Sequence, residues 1–531
     1  MNPKHSVTTF FRSPQKWVNI LIIILLLLGI FFRFVNLDKK VYWGDESSTS
    51  LRISGYTSAE VQQALQGHIV GIEDILKYQH PNPEKKLIDT VRSLAVEDTH
   101  PPLYFVMVRV WMEWFGDSMA VTRSFSAAMS LLIFPCIYWL CLELFESSLV
   151  GWIAIALIAV SPFHLLYAQE ARMYSLWTVL ILLSSTVLLR AMRIGTKLNW
   201  VIYALTVALG LYSYLFTIFV AIGHGIYVLI IERCRLSRTF ISYLLASLAG
   251  VLIFSPWILV IIANKSSVEQ AISWATENMS LSFLVTHWIY NLSYVFMDFW
   301  YVFTYNPEAH FNWHFGKYLI PLILILVGYS LYLLYRKAPE RTSVFVLTLI
   351  GSTGLAVLLH DLITGGYLSI MGRYFIPCYI GIELAVAHLL ARQISSISVN
   401  IWQQRMWKFV TVLLLSGGVL SCIISSQNET WWNKRTTSDD ELHAIHIINQ
   451  ATQPLLIAES APLTLSHKLN RNVKILVANP SSIIDIPHSF THLFLWQPSQ
   501  ELGSKLEKEQ NYKITMAYKG RKQNLWQLDK E

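Results

Sequence analysis

Apolar residues fall in long blocks separated by short polar ones, and the blocks have the length of a bilayer crossing. A crossing helix needs ~20 mostly apolar residues. Such blocks occur at 18–35, 125–144, 149–167, 174–189, 240–262, 318–335, 342–360, 374–390 and 406–425. A further stretch, 200–231, carries no Asp, Glu, Lys or Arg. At ~1.5 Å per residue it is too long for one upright helix. It is expected to cross twice, turning near Tyr212–Tyr214, which gives about eleven transmembrane helices.

Two other apolar runs are read as non-crossing. The run 103–115 is short and holds Arg109 and Glu113 at i,i+4 spacing. It predicts an interfacial helix with Tyr104, Trp111 and Trp114 at headgroup level. The run 281–303 is long enough to span but contains His287, Asn291 and Asp298. After residue 426 the long apolar blocks stop. Ser438-x-x-Glu441 has the form of a capping box opening a helix, and β-rich runs follow at 455–458, 473–477, 492–496, 512–517 and 525–528. Strands alternating with helical stretches predict a small α/β domain. The expected organisation is a membrane module over 1–426, with outer loops 36–122 and 264–317, and an α/β domain over 427–531.

Composition agrees with a polytopic α-helical membrane protein. Apolar residues make up 54% and charged residues 14% of the 531, against ~25% charged in a soluble domain. This excludes an ordinary cytosolic enzyme and a disordered chain. Nineteen Trp, 25 Tyr and 26 Phe suit aromatic belts at two interfaces. The net charge of +7 sits in short clusters: Lys4/Arg12/Lys16, Arg190/Arg193/Lys197, Arg233/Arg235/Arg238, Arg336/Lys337/Arg341 and Arg392/Arg405/Lys408. Short basic loops face the cytoplasm, so these clusters signal topology and not nucleic-acid binding. With all of them inside, 103–115 and 281–303 stay uncrossed, the N-terminus is cytoplasmic and the C-terminal domain is extracytoplasmic, on a plasma (inner) membrane. The first apolar run ends in Phe31-Phe32-Arg33-Phe34, without the small-residue site of a cleaved signal peptide.

None of the five cysteines pairs by spacing as a zinc or redox motif. His443 and His446, at i,i+3, lack a third ligand in register. No cofactor is read from the sequence, which leaves a divalent-metal requirement open.

Polar residues at the ends of spans are costly and mark candidate chemistry. Four groups stand out on the expected outer side: Trp43-Gly44-Asp45-Glu46, His100-Pro101-Pro102, Gln169-Glu170-Ala171-Arg172-Met173-Tyr174, and Gly372-Arg373-Tyr374. Each has a plainer reading: solvated loop carboxylates for the first, a proline-started helix for the second, a weak local ion pair for the third. Arg123, Arg172 and Arg373, however, are isolated arginines on the face that the charge rule leaves poor in arginine. An anionic ligand such as a lipid phosphate, clamped by guanidinium groups, accounts for all three.

Together these motifs resemble membrane glycosyltransferases of the GT-C fold, specifically the protein O-mannosyltransferase and aminoarabinose-transferase group (glycosyltransferase family 39). The resemblance covers about residues 15–395. It rests on Asp45-Glu46, HPPLYFVMVRVWMEWFGDS at 100–118, TRSFSAA at 122–128, SPFHLLYAQEARMYSL at 161–176 and GRYFIP at 372–377, in that order. It implies an enzyme that passes a sugar from a polyprenyl-phosphate donor in the bilayer to an extracytoplasmic protein, lipid or glycan. It implies a base in the first loop, here Asp45 with Glu46, and outer-face groups holding the donor phosphate, here Arg123, Arg373 and His100. A lysine stands near the His100 position in the aminoarabinose enzymes, and a histidine there carries a pH-dependent charge. Glu170, Arg172 and Tyr174 are assigned to substrate binding. The competing readings are a transporter or flippase of lipid-linked sugars, and a ligase or polymerase sharing the donor chemistry. A transporter would carry its charges mid-span, often in paired repeats, and no repeat is visible here.

Overall fold

The computed structural model describes residues 16–98, 100–266, 275, 277–298, 315–395, 400–480 and 486–530. Lys4 and Arg12 lie outside these residues, as does much of the 264–317 loop. The chain divides into two compact units, one of Met1–Val35 with Arg123–Gln427, the other of Asn36–Thr122 with Asn428–Glu531.

The first unit is helical. Among the described residues seven helices are long and apolar enough to cross a membrane, and eight if the bent pair Ser148–Ala159 and Pro162–Ala168 counts as one crossing; Ile20–Phe34 and Thr217–Ile231 are shorter apolar helices. The uncharged stretch breaks where expected, Lys197–Ser213 being followed by Thr217–Ile231. The run from 281 forms the helix Leu281–Tyr294. Fourteen residues at ~1.5 Å reach roughly 21 Å, short of the hydrocarbon thickness; residues 299–303 of that run lie outside the described set.

Burial separates inner from peripheral helices. The apolar windows of Tyr174–Ile194 and Gly372–Ser395 are 83% and 89% buried, that of Arg238–Ala263 only 22%. The sequences say why. The inner helices carry small residues, including Ser184, Ser185, Gly381, Ala385 and Ala387, that let backbones approach. A Cβ on Gly381 would stand 2.5 Å from Ile350. The peripheral helix turns Leu244, Leu245, Leu248, Leu252 and Leu259 outward.

Two of the basic clusters, Arg190/Arg193 and the one holding Arg341, meet at one end of the bundle. Arg193 makes a two-pronged pair with Glu143 at 2.8 and 2.9 Å, and Arg190 lies 3.6 Å from the same carboxylate. Arg341 donates to the Leu189 carbonyl, and Thr342 to the Leu144 carbonyl.

The second unit is built on a six-stranded sheet of order β1-β3-β2-β4-β6-β5. Its strands are β1 (Ile69–Gly71), β2 (Pro454–Ala458), β3 (Lys474–Val477), β4 (His492–Trp496), β5 (Tyr512–Tyr518) and β6 (Leu525–Lys530). The central β2 runs parallel to β3 and β4, and the outer strands are antiparallel. Central parallel strands are buried on both faces and read as unbroken apolar runs. In β2, Leu455 and Ile457 join Leu502 and Leu506 in one core, while Leu456 joins Ile445 and Ile448 in the other. That second core also takes in Leu51, Tyr56, Val61, Ile72 and Ile75. Residues 36–122, counted as an outer loop of the membrane module from the sequence, thus fold with the C-terminal segment. They supply β1 and cover one face of the sheet.

Two local expectations are corrected. The C-terminal helix starts at Arg435, so Ser438 lies inside it and no capping box forms there. Glu441 instead accepts a bond from the Thr464 hydroxyl at 2.9 Å. Tyr104 is buried, not at an interface, whereas Trp114 and Phe115 of the same helix Leu103–Phe115 are exposed.

Burial, reinforced by Asp440, pushes the Glu441 carboxyl up to about 7 from an ordinary 4.5, against the pull of the Thr464 bond. The folded protein therefore keeps a proton that the unfolded chain loses. This stabilisation is complete below about pH 4.5 and falls by roughly 3 kcal/mol at most as pH rises through 7. Raising the pH from 5 to 8 should lower the unfolding temperature of wild type relative to Glu441→Gln; a constant difference between them would refute the assignment.

Candidate functional site

The sequence-selected residues fall into two groups, one per unit. In the first unit they surround the loop after the bent pair. Ser161 caps Pro162–Ala168 by accepting from the His164 N–H, and Pro162 opens that helix, where a missing N–H costs nothing. The two parts of the pair meet at 63°. The loop that follows is not a solvated turn, since Glu170 is 1% and Arg172 6% exposed. Gln169 donates to the carbonyls of Phe32 and Val35 at 2.7 and 2.9 Å.

Arg373 lies in the 3₁₀ turn Gly372–Phe375, half-buried, its guanidinium 5.4 Å from the Tyr374 ring centre. Tyr374 stacks on Phe216 at 4.8 Å, and Phe216 on Tyr214 at 5.3 Å. Tyr174 is buried, its ring 5.1 Å from that of Tyr167. The charges of Glu170 and Arg373 both act on the Tyr167 hydroxyl, and those of Arg373 and Arg172 on the Tyr214 hydroxyl. Glu170, Arg172, Tyr174 and Arg373 therefore share one polar, tyrosine-walled neighbourhood. Arg123, 2% exposed, sits one helical turn before Ser126, whose hydroxyl donates to the Arg172 carbonyl at 3.1 Å. The helix Leu281–Tyr294 holds the turn Leu368–Ile370, just before the arginine-bearing one: Trp288 donates to Ser369 and Asn291 to the Ile370 carbonyl.

Sequence reasoning missed a further pair. His164 Nε2 stands 2.8 Å from Glu383 Oε2, with side chains 3% and 1% exposed. The available signal was Glu383, a carboxylate within an apolar span.

In the second unit Asp45 and Glu46 occupy the first turn of the helix Gly44–Ile53, where the helix dipole favours carboxylates. They differ in access. Asp45 is half-buried, whereas Glu46 is fully buried with Lys434 Nζ 3.8 Å from its Oε2. The same ammonium lies 4.4 Å from the Trp43 ring centre. His100, 27% exposed, has its Nδ1 3.2 Å from the Asp98 carbonyl and 3.5 Å from the Asp98 carboxylate. Asp98 also pairs with Arg52 at 3.4 Å, and Arg52 with Glu97. Arg52 is on the Asp45 helix, so through Asp98 that helix is tied to the His100 motif. Arg109 ties this arrangement down, donating to the Ile53 carbonyl, Thr90, the Lys85 carbonyl and Glu113. His443 stacks on Tyr518 at 5.0 Å and meets the Asp439 carbonyl. Among the described residues no group of three or more His, Cys, Asp or Glu converges as a metal site.

Residues 99–260 match the family model of dolichyl-phosphate-mannose-protein mannosyltransferases. A search of curated proteins finds no match. Among solved structures, ArnT from Cupriavidus metallidurans bound to undecaprenyl phosphate superposes with a TM-score of 0.52 at 13% identity, over 97% of this chain and 98% of that one. ArnT of the same organism in the apo state gives 0.50 at 12% identity, over 96% and 97%. The chain has the GT-C fold of ArnT, and over residues 99–260 it resembles the dolichyl-phosphate-mannose-protein mannosyltransferases.

Proposed function

We propose that the protein is a membrane glycosyltransferase that moves a sugar from a polyprenyl-phosphate donor to an extracytoplasmic protein, lipid or glycan, inverting the anomeric centre. The observation that carries this reading is the position of the arginines. Arg172 precedes the inner helix whose far end bears Arg190 and Arg193, and Arg373 opens the span whose far end bears Arg392. Twenty residues at ~1.5 Å separate the two levels by about 30 Å, one hydrocarbon thickness. Buried guanidinium groups at the bilayer face opposite the basic clusters suit a lipid phosphate. Arg123, Arg373 and His100 are assigned to that phosphate, Glu170, Arg172 and Tyr174 to the sugar or acceptor, and Asp45 with Glu46 to the chemistry. The ArnT neighbour that binds undecaprenyl phosphate supports this donor class.

The proposed topology has about eleven spans in the plasma (inner) membrane, a cytoplasmic N-terminus and an extracytoplasmic second unit. A reporter fused after Glu531 is expected to be active only outside the cytoplasm; cytoplasmic activity would overturn the arrangement. The function is tested by deletion. A strain lacking the protein should accumulate a polyprenyl-phosphate sugar and lose that sugar from an outer-surface glycan, lipid or protein. Unchanged lipid and surface-sugar profiles would contradict it. The bent pair with its His164–Glu383 contact favours the carrier reading, because ionisable pairs on broken spans also mark transport pathways.

A further inference from the structure

The helix Ser148–Ala159 closes its own last turn only weakly, by a bond of 3.4 Å from the Ser161 N–H to the Ile158 carbonyl. Pro162 has no N–H, so the Ile158 carbonyl four residues back loses its helical donor. The His164 N–H, which would serve Val160, is turned to the Ser161 hydroxyl. Open carbonyls at membrane depth persist only where protein groups satisfy them. Here other helices supply the further donors. Arg33, fully buried, donates to the Ile158 carbonyl at 3.1 Å and to the Ala159 carbonyl at 3.0 Å. It also donates to its own Gly29 carbonyl at 2.8 Å and to Ser130 Oγ at 3.0 Å, with Phe134 4.8 Å beneath the guanidinium. Cys422 Sγ meets the Val160 carbonyl at 3.4 Å. Gly29 permits the approach, since a Cβ there would lie 2.6 Å from the Ala159 oxygen. The support is mutual: Gln169, beyond the break, caps the Phe32 and Val35 carbonyls at the end of the helix that carries Arg33.

A guanidinium is expensive inside a membrane, and an unbroken apolar helix would close its hydrogen bonds without one. The break therefore has a use beyond packing, and the short helix after it leads straight into the Glu170–Arg172 loop. We infer that Arg33 is a positioning residue, whose four hydrogen bonds fix the break that sets Glu170 and Arg172 against Arg373. The inference rests on reading that cluster as the donor and acceptor site.

Arg33→Met keeps a long apolar stem and removes every donor. In folded, purified protein it should lower turnover by about 10²-fold, the cost of misplacing reacting groups by ~1 Å. Arg33→Met/Pro162→Ala returns one missing N–H, so the Ile158 carbonyl can regain its helical donor. Its unfolding temperature should recover towards wild type while its turnover stays low. Recovery of turnover along with stability would overturn the inference, because Arg33 would then serve the fold alone. A second arm needs no donor and separates this inference from the proposed function. Cys234 is the exposed thiol among the free cysteines, so Cys234→Ser gives a quiet background. There, maleimide labelling of Glu170→Cys should be severalfold faster when Arg33→Met is added. Equal labelling rates would likewise overturn the inference.

Discussion

Replacing Asp45 by asparagine is expected to lower turnover about 10²–10⁴-fold with little change in donor binding. The acceptor hydroxyl must lose a proton as it attacks the anomeric carbon. The leaving group is a phosphate, already a stable anion, and needs no proton from the protein. One carboxylate therefore suffices, unlike the acid–base pair of a glycosidase. In the proposed reaction, attack opposite the lipid phosphate would invert the anomeric centre. Asp45 and Glu46 are neighbours in sequence but differ in setting. Asp45 is half-buried at a helix start, so an aqueous acceptor can reach it. Glu46 is fully buried and faces Lys434, and removing one member of a buried charged pair leaves the other uncompensated. Glu46→Gln should therefore lower the unfolding temperature more than Asp45→Asn does, and Asp45→Asn should cost more in single-turnover rate. Wild-type chemistry in both folded variants would remove this carboxylate pair from the mechanism.

Arg373→Ala is expected to weaken donor binding by about 10–100-fold, because a hydrogen bond to a charged group contributes ~1.5–3 kcal/mol. Lysine should restore only part of the loss. A guanidinium holds two phosphate oxygens at once and stacks on an aromatic face, whereas an ammonium is a single point of charge. Arg373 lies 5.4 Å from the Tyr374 ring centre, and that ring is stacked in turn on Phe216, so the head is pre-oriented. Wild-type donor affinity in Arg373→Lys, measured by titration with a polyprenyl phosphate, would count against a two-pronged phosphate contact.

What the sequence made legible was local. The turn between 213 and 217 was visible because two basic clusters bracket an uncharged stretch of double length. The central β2, β3 and β4 were visible because central strands are mostly apolar, and β5 and β6 because short β-rich runs follow them. The misses arise from long-range pairing. β1 has three residues, Ile69-Val70-Gly71, and becomes a strand only by pairing with β3; nothing local marks it. Lys434 is an ordinary lysine until the fold brings it to Glu46. His164 lay inside a recognised motif, but its role beside Glu383 depends on two helices meeting. The Ser438–Glu441 spacing matched a capping box, yet the helix begins at Arg435 and the glutamate turns to Thr464. Arg33 was noticed only as the residue that ends an apolar run. Its hydrogen bonds depend on a proline more than a hundred residues later.

The decisive measurement uses purified protein in sealed vesicles holding a labelled polyprenyl-phosphate sugar, with an outer-membrane or cell-wall extract as acceptor. The proposed chemistry predicts that label leaves the lipid for the acceptor, that free polyprenyl phosphate appears in equal amount, and that Asp45→Asn slows both about 10²–10⁴-fold. If the label instead stays on its lipid and only moves from one leaflet to the other, the protein is a carrier and not a transferase.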